Sequence, residues 1–251
     1  MVLAKSCPET CGMQYQPIHW ISVGLAWVML SCQPEPISTP TITTKVGVLS
    51  FEHAFEGALL VPAQLQYENE AGNLTSVTRL EYVISQLKME DAAGQQLELV
   101  GPWYVNAFDQ KADTIQIKDF KPVRMRFLIG LDSAQNRSNR HDDLPGFINL
   151  AWPEIMGGGY HFLKLEGRFQ RISGGEAGYA FHLGKAQFRV PVAEVVPAAF
   201  DDSHWRIRME VSKWFGPPVL WDLQQHATMT MHSDSAMGVL SENGRGVFHE
   251  E

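Results

Sequence analysis

Gly159-Tyr160-His161-Phe162-Leu163-Lys164-Leu165-Glu166-Gly167 and Gly178-Tyr179-Ala180-Phe181-His182-Leu183-Gly184 are the segments that decide the fold class. In the second, a period of two sets Tyr179, Phe181 and Leu183 on one side and His182 on the other, the pattern of a strand with one face in a core. In the first, the same period groups His161 with Leu163 and Leu165, so His161 reads as a packed or half-exposed core histidine. Upstream stand Leu150-Ala151-Trp152-Pro153-Glu154-Ile155-Met156 and Gly157-Gly158-Gly159, the glycines marking a turn. Together these residues make the run 150–184 the densest in the chain for aromatics, glycine and histidine.

Working outward, strand patterns recur on both sides. Candidates are 46–53, 61–67, 74–90, 97–100, 114–117 and 121–130 before the central run, and 185–196 and 205–211 after it. Glu68-Asn69-Glu70-Ala71-Gly72-Asn73 is a strong turn signal. In 121–130, Arg124 and Arg126 face one way and Val123, Met125, Phe127 and Ile129 the other, as in a half-buried strand. The polar stretch 131–147 reads as a long surface loop, of the length that is usually functional or mobile. After a Pro/Trp-rich turn at 214–221 come 226–232, where alternation places Met229 and Met231 in the core, and a short helix at 235–240. Eight or more short strands separated by turns predict an all-β fold, a β-sandwich or barrel-like single domain.

The chain has 251 residues, 45% of them hydrophobic and 10% aromatic, enough for one large β core. A net charge of −8 without a basic cluster argues against nucleic acid or an anionic membrane surface as partner. The N-terminus differs from the rest. Residues 18–31 are almost wholly apolar, too short to span a bilayer but suited to a signal peptide. Met29-Leu30-Ser31-Cys32 approximates a lipobox, so residues 1–32 are expected to be a signal segment, with Cys32 the lipidated residue and Met1 or Met13 the start. Residues 33–44 read as a Pro/Thr-rich tether and 45–251 as the β domain. Cleavage before Cys32 removes Cys7 and Cys11, which excludes disulfides and thiolate chemistry from the mature domain.

Nine histidines in the chain, eight of them in the acidic, thiol-free domain, raise the question of a metal, since imidazole suits copper and zinc. No H-E-x-x-H, H-x-H or EF-hand spacing occurs, so a site has to be assembled from distant strands. If 223–232 is extended, His226 and His232 lie about 20 Å apart and cannot share an ion. His53 stands at a strand end beside a glycine turn, a common place for sites. Enzyme signatures are absent: there is no G-x-S-x-G, the triple glycine lacks a following Lys and helix, and Asp142, Asp143, Glu154 and Glu166 read as solvated acids. The expected activity is therefore non-enzymatic.

The combination of Phe51-Glu52-His53, Val77-Thr78-Arg79-Leu80-Glu81-Tyr82-Val83-Ile84-Ser85, Phe127-Leu128-Ile129-Gly130-Leu131-Asp132, the G-Y-x-F-L-K-L-E-G element at 159–167, Phe181-His182-Leu183-Gly184 and Met231-His232 resembles the MbnP-like family over nearly the whole mature chain. These are bacterial periplasmic or surface proteins named for a protein encoded beside methanobactin genes. The resemblance implies an all-β exported protein that in some members binds copper through histidines, those members also carrying a tryptophan that a dihaem peroxidase-like partner oxidises. Carried onto this sequence, it implies His53, His182 and His232 as ligands and Trp152 as the tryptophan. Pro153-Glu154-Ile155 stands where members often carry a second aromatic. The expected location is the periplasm or outer membrane, with membrane contact through the lipid anchor only. The competing expectation is a metal-free interaction module of the envelope that docks through 131–147.

Overall fold

The computed structural model describes residues 45–109 and 114–248. The expected signal segment 1–32 with Cys32 and both candidate starts, and the tether 33–44, lie outside the described residues. Within them the chain runs β1 (Val46–Phe55), β2 (Ala58–Leu59), β3 (Tyr67–Glu68), β4 (Leu74–Glu90), β5 (Gln96–Leu99), β6 (Trp103–Asn106) and β7 (Thr114–Lys118). Then follow β8 (Arg124–Ile129), β9 (His161–Gln170), β10 (Glu176–Gly184), β11 (Val190–Val195), β12 (Ala198–Ala199), β13 (His204–Glu210) and α1 (Asp234–Asn243).

These strands form the two sheets of a β-sandwich. The smaller has the order β12-β13-β1-β2, with β7 also on β1; its central pair, β1 and β13, is parallel. The larger has the order β10-β9-β4-β8-β11, with β3, β5 and β6 also pairing with β4. At 17 residues β4 is the spine of the molecule, and successive stretches of it hydrogen-bond to different neighbours. Apolar residues from both sheets meet in one core. Phe51 of β1 lies edge-on to Tyr82 of β4 at 6.3 Å, and Phe248 packs against Phe51, Tyr82 and, at 5.1 Å, Phe127 of β8. Edge-to-face contacts of this kind add to area burial because the positive ring edge meets a negative face.

The two decisive segments form the hairpin β9–β10, closed by a turn at Arg171-Ile172-Ser173-Gly174-Gly175. β8 shows the expected alternation from Arg124 on, with Arg124 and Arg126 outside and Met125, Phe127 and Ile129 buried, but Val123, expected on the core face, precedes the strand and is exposed. Elsewhere the readings shift. Of the expected 61–67 strand only Tyr67 pairs, as the start of β3, since Pro62 has no N–H to give and Ala63 takes a left-handed φ of 61°. The expected 185–196 strand opens instead with a 3-10 turn, Ala186–Phe188, before β11. Met229 is 63% exposed rather than in the core, because its segment meets the sheet through a single parallel bridge to Ala180. The helix is longer than expected at both ends and is capped by the Ser233 hydroxyl, which accepts the Ala236 N–H.

Candidate metal centre

Across the larger sheet, Tyr82 pairs with Leu163 and Leu163 with Leu183, while Glu81 pairs with Lys164 and Lys164 with His182. Paired residues share a face and neighbours alternate. Tyr82, Leu163 and Leu183 therefore turn into the sandwich, and Glu81, Lys164 and His182 turn to its outer side.

His161 joins the outer set. β9 carries an extra residue here: Leu163 pairs with Leu183, but His161 pairs with Gly184, one position further along β10. Gly184 lies two residues from His182, so the bulge brings His161 to the face of His182 and away from Leu163. The two imidazole rings stand 4.9 Å apart at 89°. The expectation that His161 packs with Leu163 and Leu165 is corrected: it is buried, but on the opposite side of the sheet.

Trp152 completes the group. Its ring lies 4.6 Å from that of His161, and its indole N–H donates to the Met156 carbonyl at 3.3 Å. Gly184 makes the approach possible, since a Cβ there would sit 2.5 Å from the indole. The strap carrying Trp152 is tied down by the polar stretch 131–147, which is an anchored brace: the Ser138 hydroxyl accepts the Gly159 N–H and the Asn136 side-chain oxygen accepts the Tyr160 N–H. The Tyr160 hydroxyl accepts the His141 N–H and donates to Asp142.

Hydrogen bonding fixes one protonated nitrogen on each imidazole. His161 Nδ1 lies 3.0 Å from the Leu150 carbonyl, an acceptor only, so Nδ1 carries the proton. That leaves His161 Nε2 as a bare lone pair, buried and without a hydrogen-bond partner. Burial, reinforced by the nearby Lys164 ammonium, lowers the His161 pKa to about 3 and keeps the ring neutral. His182 Nε2 lies 2.8 Å from Glu166 Oε1, and the hydrogen bond from His182 is the main cause holding the Glu166 carboxyl below its ordinary range. The carboxylate can only accept, so His182 carries its proton on Nε2 and presents Nδ1. Arg79 stands 3.5 Å from Glu166 and 2.9 Å from Glu81. Lys164 turns its ammonium to the Asn149 carbonyl.

The other sequence candidates fall elsewhere. His53 projects from β1 into the sandwich, where its Nε2 is 2.9 Å from the Tyr82 hydroxyl and burial pulls its pKa down to about 4. Tyr82 faces inward and His182 outward, so the structure does not bring His53 to His182. His232 is exposed, two residues after Thr230, whose hydroxyl accepts the His182 N–H and donates to the His182 carbonyl, both at 2.8 Å. It thus follows the strand edge beside His182. His226 is exposed, with Nδ1 accepting the Asp222 N–H. Among the described residues no group of three or more His, Cys, Asp or Glu is arranged as a ready metal cage. What the structure does assemble is Trp152, His161, His182 and Glu166.

A family model described as MbnP matches residues 43–233, the greater part of the chain. The chain belongs to the MbnP family. In fold this MbnP-family protein is similar to MbnP from Methylosinus trichosporium, with a TM-score of 0.53 over 76% of this chain and 84% of that one, at 14% sequence identity. At that identity the likeness carries the fold alone. No curated protein matches the chain. Within the MbnP-family sequence, the two residues that reading the chain missed are His161 and Glu166. Glu166 had a signal, lying three residues after Leu163 in a strand whose hairpin partner holds His182; the bulge that turns His161 had none.

Proposed function

We propose that this is an exported, lipid-anchored protein of the cell envelope that holds copper without turning over a substrate, and that His161 and His182 are its protein ligands. One observation carries the reading: two imidazoles, perpendicular and in ring contact, each tied at one nitrogen by an acceptor, with His161 left holding a bare, buried lone pair at Nε2. A buried acceptor without a donor costs about 1–3 kcal/mol, so an orphaned Nε2 calls for a function. Metal-bound histidines share this arrangement, in which the distal N–H is held by a carbonyl or carboxylate. The donor set selects the class of ion. Imidazole nitrogens suit copper and zinc, while calcium and magnesium require several oxygens. Copper is the ion the family resemblance implies.

In this reading His161 and His182 bind the ion, Glu166 orients His182, and the Trp152 strap with Met156 keeps water from the buried side. Bound copper would supply a redox-active centre beside the Trp152 indole, which is the residue proposed for oxidation by a dihaem peroxidase-like partner. His232 follows Thr230, which hydrogen-bonds the His182 backbone, on the same strand edge. His53, on the inner face with Tyr82, is left out of the ligand set. Export through residues 1–32, lipidation at Cys32 and a periplasmic or outer-membrane location belong to the same proposal.

Titration of the purified 45–251 domain with copper tests it. The expected outcome is one equivalent bound, lost in both His161→Leu and His182→Leu and retained in His53→Phe. Binding that survives the first two substitutions would sink the assignment. A second reading, a metal-free docking module, draws on Ile148 and Ile155, exposed at 64% and 96% on the turns flanking Trp152. It would stand if the domain takes up no copper and Ile155→Asp abolishes an envelope partnership.

A further inference from the structure

The His182 ring has no covalent reason to prefer one of its two nitrogens. The torsion about Cβ–Cγ of a histidine is broad and roughly two-fold, so an unrestrained ring exchanges the places of Nδ1 and the ring carbon at little cost. A centre built on this ring therefore needs something outside it to decide which atom meets the ion. The backbone is already clamped, since the Thr230 hydroxyl spans the His182 N–H and carbonyl. The far end of the ring meets Glu166 Oε1 at 2.8 Å.

Glu166 is itself held. It sits on β9 opposite Arg79 of β4 and Ala180 of β10. The Arg79 guanidinium reaches it at 3.5 Å and is anchored in turn by Glu81 at 2.9 Å. The carboxylate is partly sheltered, with its side chain 28% exposed, so water competes for it only in part. The chain of contacts His182–Glu166–Arg79–Glu81 crosses three neighbouring strands, so the sheet itself sets the ring angle.

We propose that Glu166 is the positioning residue of the His161–His182 centre: by accepting the Nε2 proton of His182 it makes Nδ1 the coordinating atom and fixes the plane of the ring beside His161. This rests on the metal-binding reading above and adds to it the atom used and the residue that selects it. Glu166 touches no ion here and acts through His182.

The metal-free protein gives the first test. Long-range nitrogen–proton NMR correlations of the wild-type domain should show His182 protonated at Nε2 and bare at Nδ1; protonation at Nδ1 would overturn the proposal outright. Glu166→Leu should scramble that tautomer and weaken copper binding about 10- to 100-fold, the usual scale for losing a partner of a metal-bound histidine. Glu166→Gln, whose amide oxygen still accepts the Nε2 proton, should restore the tautomer and most of the affinity. That rescue separates positioning from a merely structural role. Wild-type affinity in Glu166→Leu would overturn this inference while leaving the metal reading standing. No copper uptake by the wild type would overturn the metal reading and the centre with it, with the tautomer result still reporting whether Glu166 orients the ring.

Discussion

At the residue scale, a few atoms decide whether the centre exists. Gly184 has no Cβ because the Trp152 indole occupies its place. Gly184→Ala should destabilise the domain by about 1–3 kcal/mol, the cost of overpacking a close contact, and should shift the tryptophan emission; urea unfolding monitored by fluorescence reads both. His161→Leu removes an orphaned acceptor but also strips the Leu150 carbonyl of its donor. The two effects oppose each other, so stability should change by less than about 1.5 kcal/mol while copper binding disappears. His53 behaves differently. Its pKa falls from 6.5 to about 4 on burial, so the unfolded chain binds this proton more readily than the folded one. Stability is therefore full above about pH 6.5 and declines as pH falls toward 4, by on the order of 3 kcal/mol for this group. Replacing His53 by Phe should flatten the slope of unfolding free energy between pH 7 and pH 4.5.

At the element scale, the hairpin β9–β10 carries both the core and the centre. Its inward rows, Leu80 with Leu165 and Phe181, then Tyr82 with Leu163 and Leu183, hold the sandwich; its outward rows carry the charged network. Leu165→Ala should cost roughly 2–5 kcal/mol in urea unfolding, because a fully buried leucine between two strands leaves a cavity that flanking backbone cannot close. The alternation of Tyr179, Phe181 and Leu183 against His182 was legible from sequence, because period two follows from the pleat. The side of His161 was not. A bulge adds one residue to one strand only, and nothing in Tyr160-His161-Phe162-Leu163 distinguishes a regular strand from a bulged one.

At the scale of the whole molecule, two sheets and the straps across them bring together residues separated by about a hundred positions in the chain, such as Arg79 and His182 on either side of Glu166. Copper bound to the folded state alone should raise its unfolding free energy by about 2.7 kcal/mol at a free concentration one hundred times Kd. Calorimetry with and without the ion checks this, and the increment should vanish in His182→Leu. The all-β class, most of the strands from 74–90 to 205–211 and the family were readable in the chain because hydrophobic alternation and the G-Y-x-F-L-K-L-E-G element are local patterns. Membership of a centre is not local. His53, His182 and His232 are equally plausible as isolated strand or loop histidines, and only register and facing distinguish them. Sequence by itself thus determined which segments are strands and which of their faces seek a core, since that preference belongs to each residue. The tertiary structure alone decided that His53 faces Tyr82, that a bulge turns His161 to His182, and that Glu166 meets the His182 ring, because hydrogen-bond register and sheet packing are properties of segments that meet only in the folded chain.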